Sequence, residues 1–169
     1  MTLDPKNTSG MNSGDARFLA NIEQYGWVVT KVALRVGDEG DCFGYSTGLY
    51  LRFGQPEIVM FGLALDTMHT IINSVGNQMK RGVNFVPDQD YVDLLDRYAC
   101  QFRVVDKSNY TEHLGWSSWF YESHDYPTLQ CFWPDMNSYF PWQSECAPGV
   151  RDLQPFLFLR APNEAGTDQ

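Results

Sequence analysis

Residues 43–63 read FGYSTGLYLRFGQPEIVMFGL, two short apolar runs joined by a turn punctuated with Gly and Pro, and their reading decides the fold. The aromatic and hydroxyl side chains of residues 43–47 predict a strand. Pro56 lacks an amide hydrogen and cannot sit inside a central strand, so the next strand is expected after it, over 57–63. The run Ile58, Val59, Met60, Phe61 is apolar throughout, which predicts a strand covered on both faces. Residues 48–56 show no helical periodicity and are expected as a turn anchored by Leu49, Leu51 and Phe53.

Upstream, Phe18, Leu19, Ile22 and Tyr25 share one helical face, with Ser13 as a cap and Gly26 as a stop. Residues 27–36, WVVTKVALRV, predict a strand, and the acidic stretch that follows a solvated loop. Downstream, Asp66 precedes Met68, Ile71, Ile72, Val75 and Met79, the strongest helical pattern in the chain, closed by Lys80, Arg81 and Gly82. Residues 84–96 fit a loop leading into a short helical turn or strand. Residues 98–105 and 128–133 alternate as half-buried strands, and a short helix is expected between them, around 110–118, capped by Ser108. The sum is an α+β fold: a roughly five-stranded, mainly antiparallel sheet with about three helices packed mostly on one face.

A chain of 169 residues with ordinary apolar content and 15% aromatic residues fits one domain with a sizeable core. Residues 14–160 are expected to form it, between a flexible arm over 1–13 and a flexible tail over 161–169. A formal charge of −9 argues against nucleic acid or an anionic membrane surface as partner and suits a basic protein. Cys42, Cys100, Cys131 and Cys146 are dispersed, with no histidine at ligand spacing, so no metal site is expected. Residues 1–14 lack the apolar run of a secretion signal, and the thiols are expected reduced in a cytoplasm.

Gly44-Tyr45-Ser46-Thr47-Gly48 matches the Gly-x-Ser-x-Gly pattern of a nucleophile elbow letter for letter, but an elbow joins a strand to a helix. No helical pattern follows Gly48, so a polar strand end is the favoured reading. The histidines His69, His113 and His124 are the available general bases. The glycines form no phosphate loop or dinucleotide turn, and no cofactor is expected. Trp133, Pro134 and Asp135, with Pro141 and Trp142, would line a pocket or a protein-binding groove, or bury themselves against the sheet.

The ordered motifs Gly26-Trp27-Val28-Val29, Phe43-Gly44-Tyr45-Ser46-Thr47-Gly48-Leu49, Gly54-Gln55-Pro56-Glu57, Phe61-Gly62-Leu63, Leu129-Gln130, Trp133-Pro134-Asp135 and Phe140-Pro141-Trp142 resemble a bacterial family, domain of unknown function 4262. The resemblance runs from about residue 26 to residue 158 and names relatives without naming an activity. It usually carries Gly-His-Pro-Glu where this chain has Gln55. An amide does not titrate, so any acid-base work by that His is lost here.

The leading functional expectation is a cytoplasmic binding protein, of the immunity type that neutralises a basic toxin domain by contact. Asp38, Glu39, Asp41, Asp88, Asp90 and Asp93 would form its acidic partner surface. The alternative is an enzyme or small-ligand binder with a pocket between the 45–49 and 133–142 turns, lined by Tyr45, Ser46, Thr47, Gln55, Trp133, Asp135 and Trp142. No catalytic residue is assigned.

Overall fold

The computed structural model describes residues 13–33 and 42–162. The elements in chain order are α1 (Ser13–Tyr25), β1 (Val28–Val32), β2 (Phe43–Thr47), α2 (Leu49–Phe53), β3 (Glu57–Phe61), α3 (Leu65–Lys80), β4 (Tyr91–Leu95), β5 (Tyr98–Val104), α4 (Tyr110–His113), α5 (Gly115–Tyr121), β6 (Thr128–Phe132) and α6 (Pro148–Arg151). A 3-10 turn, Lys107–Asn109, precedes α4. The expected arm and tail lie outside the described residues, apart from residues 13, 161 and 162.

The six strands form one open sheet in the order β1-β2-β3-β6-β5-β4. It is mixed rather than mainly antiparallel, because β3 and β6 at its centre run parallel, Glu57 opposite Thr128 and Met60 opposite Cys131. Parallel neighbours need a long crossover, and α3, β4, β5, α4 and α5 all lie between them in the chain. The sixth strand is β4, for which Asp93 within a short Tyr-Val-Asp-Leu-Leu run gave an ambiguous pattern.

Helices cover both faces, not mostly one. Ile58, Met60, Leu129, Cys131 and Phe102 face α3, whose Met68, Ile71, Ile72, Val75 and Met79 supply the stripe predicted from their spacing. On the opposite face Phe43, Tyr45, Val59 and Phe61 meet Tyr110, Leu114, Tyr126 and Leu157. Every residue of β2, β3 and β6 is therefore buried. The helix α1 packs at the β1 edge through Phe18 and Ile22, against Phe120 of α5 and with Leu51 of α2 alongside. Tyr25, assigned to that apolar face by spacing, is 65% exposed.

The expected turn over 48–56 is in fact the helix α2, five residues long between two glycines of positive φ, Gly48 and Gly54. A helix this short shows no periodicity to read. Its stability comes from a residue further along the chain.

Candidate functional site

That residue is Glu57, the first of β3, which is fully buried. Its Oε1 accepts from the Ser46 hydroxyl (2.7 Å) and the Leu49 amide (3.2 Å). Its Oε2 accepts from the amides of Gly48 (2.9 Å) and Tyr50 (3.3 Å) and from the Tyr121 hydroxyl of α5. The three amides open α2, where backbone donors have no intrahelical partner, and a carboxylate there satisfies them and complements the helix dipole. Burial pushes the Glu57 carboxyl above its usual range, against the pull of the Tyr121 and Ser46 hydroxyls and the Gly48 and Tyr50 amides. Burial, joined by the Glu57 charge, pushes the Tyr121 phenol far up.

Strand, turn and helix are thus all present around Gly44-x-Ser46-x-Gly48, contrary to the expectation that no helix follows. The serine is nevertheless placed inside β2, two residues before Gly48, and is fully buried. Its hydroxyl is spent on Glu57 and accepts the Ile58 amide (2.9 Å). Thr47 Oγ1 shares a hydrogen bond with Ser117 Oγ (2.6 Å), and Tyr45 Oη accepts the Trp116 amide (3.0 Å), so both tie β2 to α5. His113 packs edge-on against Phe43 and Phe61, at the other end of these strands, and His124 against Tyr110.

The two turns expected to share a pocket lie at opposite ends of the sheet. Tyr45 pairs with Val59, which sets Thr47 and Gly48 at the Glu57 end of β3. Trp133 follows β6 at the Phe61 end, where its indole donates to the Phe61 carbonyl (2.7 Å). Four residues of strand, about 13 Å, separate them. Asp135 is buried; Oδ1 accepts the Asn137 and Tyr139 amides (2.9 and 3.0 Å) and Oδ2 the Ala147 amide (2.9 Å). The Tyr139 amide foremost, with those of Ala147 and Asn137, holds its carboxyl below the usual range. Trp142 stacks on Phe140 and carries the Arg103 guanidinium 4.0 Å over its ring. Gln55 clamps the backbone after α3, donating to the Val83 carbonyl (2.7 Å) and accepting the Phe85 amide (3.2 Å).

Asp38, Glu39 and Asp41 lie outside the described residues. Asp88 pairs with Arg103 (3.3 Å) and Asp90 accepts from Gln101 (2.6 Å), so both are held against β5. Asp93 stands exposed on the edge strand β4.

A polar cleft that the sequence reading did not assemble opens at the other edge of the sheet. It encloses about 550 Å³ between α1 and α3, over β1. Asn21 and Tyr25 line it from α1, Trp27, Val28 and Val29 from the β1 segment, and His69, Asn73 and Asn77 from α3. The Trp27 indole donates to Asn73 Oδ1 (2.9 Å), and the Asn73 amide nitrogen lies 3.4–3.5 Å from the His69 ring nitrogens. Two glycines seat Trp27. A Cβ on Gly76 would stand 2.6 Å from Cε2 and Cζ2 of its ring, so only glycine lets the indole lie on α3. A Cβ on Gly48, at φ +120°, would stand 2.5 Å from the Gly26 carbonyl oxygen and 2.9 Å from Trp27 Cα. The Gly-x-Ser-x-Gly stretch, locked by Glu57, is therefore the support beneath the cleft floor. Its signal in the sequence was two ladders at i, i+4 spacing, Asn21/Tyr25 and His69/Asn73/Asn77, the second running beside the apolar stripe of α3.

Among the described residues no group of three or more His, Cys, Asp or Glu could hold a metal ion, and no helix is long and apolar enough to cross a membrane. All four cysteines are free, with Cys100, Cys131 and Cys146 buried. No curated protein and no solved structure matches the chain. Residues 21–147, which span the cleft floor, the Glu57 hub and the Trp133-to-Trp142 turn, match the domain of unknown function DUF4262, and the chain belongs to that family.

Proposed function

We propose that this protein works by stoichiometric binding, with the cleft between α1, β1 and α3 as its recognition site for an uncharged polar ligand. The observation that carries the reading is the lining of the cleft: three asparagine amides, one imidazole and two aromatic rings with a polar edge, without a carboxylate, lysine or arginine. Amides offer donors and acceptors at once and complement hydroxyl or amide groups without a charge to neutralise. The volume falls in the range of small-molecule sites. Burial of Ser46 supports binding over acyl transfer, since a nucleophile must reach its substrate.

Calorimetric titration with neutral disaccharides and capped dipeptides, against acetate and phosphate, tests this. Neutral ligands should bind, and Asn77→Ala, at an exposed wall position, should weaken them about tenfold, the loss of one to two hydrogen bonds. Tightest binding by the anions, or indifference to Asn73→Ala and Asn77→Ala alike, would overturn the assignment.

A second reading has its own support. Asp88, Asp90, Asp93 and Asp96 are exposed at the opposite edge of the sheet, on and beside β4, and suit a basic protein met by contact in the cytoplasm, the immunity-type role that the composition suggests. Charge reversal at Asp88, Asp90 and Asp93 should abolish co-purification with a basic protein encoded nearby; an unchanged complex counts against it.

A further inference from the structure

The amide cleft carries its polar groups on two facing walls, and three of them are uncommitted. Asn21 and Tyr25 stand one helical turn apart on α1, with Asn77 across from them on α3. Their side chains make no hydrogen bond, ion pair or ring contact among the described residues. Asn73 is fixed instead, its Oδ1 accepting the Trp27 indole and its nitrogen turned to His69. Tyr25 is a large aromatic ring that the fold leaves uncovered beside the cleft, although its spacing places it with the apolar face of α1. From His69 to Asn77 the row of polar groups runs about 12 Å along the axis of α3.

We propose that the occupant is a neutral saccharide, an inference that rests on the reading of the cleft as a site for uncharged polar ligands. A hexose carries hydroxyls around its rim and C–H groups on its faces. Each hydroxyl both donates and accepts, and one asparagine amide can engage two neighbouring hydroxyls, accepting from one and donating to the other. The exposed Tyr25 ring offers the C–H face a rigid amphipathic surface with little side-chain entropy to lose. A peptide carries its polar groups along one line and is met by paired backbone, with apolar pockets for alternate side chains; here the donors and acceptors are side chains on two walls. The row on α3 is longer than one hexose ring and close to the length of two, so a disaccharide unit fits it better than a monosaccharide. The overall charge of −9 disfavours acidic sugars.

The same chemistry occurs in a free disaccharide and in a stretch of a longer glycan, and the test separates them. Full-length protein is titrated by calorimetry with glucose, with maltose and cellobiose, with the hexamers of both series, and with N-acetylglycine N-methylamide as the capped peptide unit. Maltose or cellobiose should bind at least about tenfold tighter than glucose or the capped peptide unit, the value of one to two further hydrogen bonds. A hexamer that binds more tightly than its disaccharide identifies a glycan chain as the source, and equal affinity a free disaccharide. Tyr25→Ala, at an exposed position, should weaken the saccharide about tenfold with the circular dichroism unchanged, while Tyr25→Phe, which keeps the ring, should retain most of the affinity. Asn21→Ala should cost the saccharide severalfold. Tighter binding of the capped peptide unit than of every saccharide would overturn the saccharide assignment and leave the uncharged-ligand reading standing, whereas no binding of any of these neutral probes would overturn both. Saccharide binding untouched by Tyr25→Ala and Asn21→Ala would place the sugar elsewhere and overturn the proposal.

Discussion

Replacing Glu57 by Gln keeps the shape of the hub and removes its charge and half of its acceptor capacity. The amide nitrogen must take the place of one carboxylate oxygen. At the Oε2 position it would face the Gly48 and Tyr50 amides and the Tyr121 hydroxyl, three donors against a donor. At the Oε1 position it would face only the Leu49 amide and the Ser46 hydroxyl, and the hydroxyl can turn to accept. The cheaper arrangement strands the buried Leu49 amide, about 1–3 kcal/mol, because the Gln nitrogen cannot accept where either oxygen of a protonated carboxyl still can. In mild acid the wild-type carboxyl is itself protonated, so no charge is lost there and the deficit is about 1–3 kcal/mol, or on the order of 2–12 °C in Tm for a chain of this size. The pH dependence supplies a second signature. The folded carboxyl titrates above its unfolded counterpart, so its contribution is complete below the unfolded pKa of about 4.3 and is lost as pH rises through the folded pKa. Urea unfolding at several pH values should therefore show the Glu57→Gln variant furthest below wild type in acid, with the gap narrowing as pH rises. A variant as stable as wild type, or a gap that widens with pH, would refute the view of Glu57 as the organiser of this stretch.

Gly76→Ala should drive Trp27 off α3, costing about 1–3 kcal/mol for overpacking, and should blue- or red-shift the Trp27 emission while abolishing cleft binding. Gln55→Ala should lower stability by about 1–3 kcal/mol in urea titration by orphaning the Phe85 amide, whereas Gln55→His, which donates and accepts through its two ring nitrogens, should recover most of it. Asp135 titrates below its unfolded value, so its stabilising contribution holds at neutral pH and fades as pH falls through the folded pKa; Asp135→Asn should be less stable than wild type at pH 7 and converge on it in acid, read by thermal melts.

The strands β2 and β3 and the helix α3 were legible because their signals are local: a Pro that forbids pairing, an unbroken apolar run, and a stripe at helical spacing. The parallel β3–β6 pair was not, since strand order depends on a long crossover that no local pattern encodes. Cover on both faces was implied by the all-apolar run in β3, yet the sheet was assigned helices mostly on one face; the burial of Val59 and Phe61 under Tyr110 and Leu114 shows that the run was the better guide. The helix α2 escaped because its nucleus is a carboxylate donated from β3. Glu57 itself was readable only as an acid at the head of an otherwise buried strand. Trp133, Asp135, Ser46 and Thr47 were singled out as lining one pocket, but the register sends the two turns to opposite ends of the sheet, and their polar atoms serve backbone and neighbouring side chains. The cleft joins residues 21 to 77 across three elements, and its ladders gain meaning only when α1 and α3 flank β1.

The central claim is that the Gly-x-Ser-x-Gly stretch is scaffolding and that the cleft it supports does the binding. Amide and indole NMR shifts mapped during titration with the tightest neutral ligand test it most directly. The account predicts changes centred on the Trp27 indole, Asn73, Asn77 and His69, with Ser46 and Glu57 unmoved. The largest changes at Ser46 and Tyr121, or along β4 at Asp93, with the Trp27 indole silent, would contradict it.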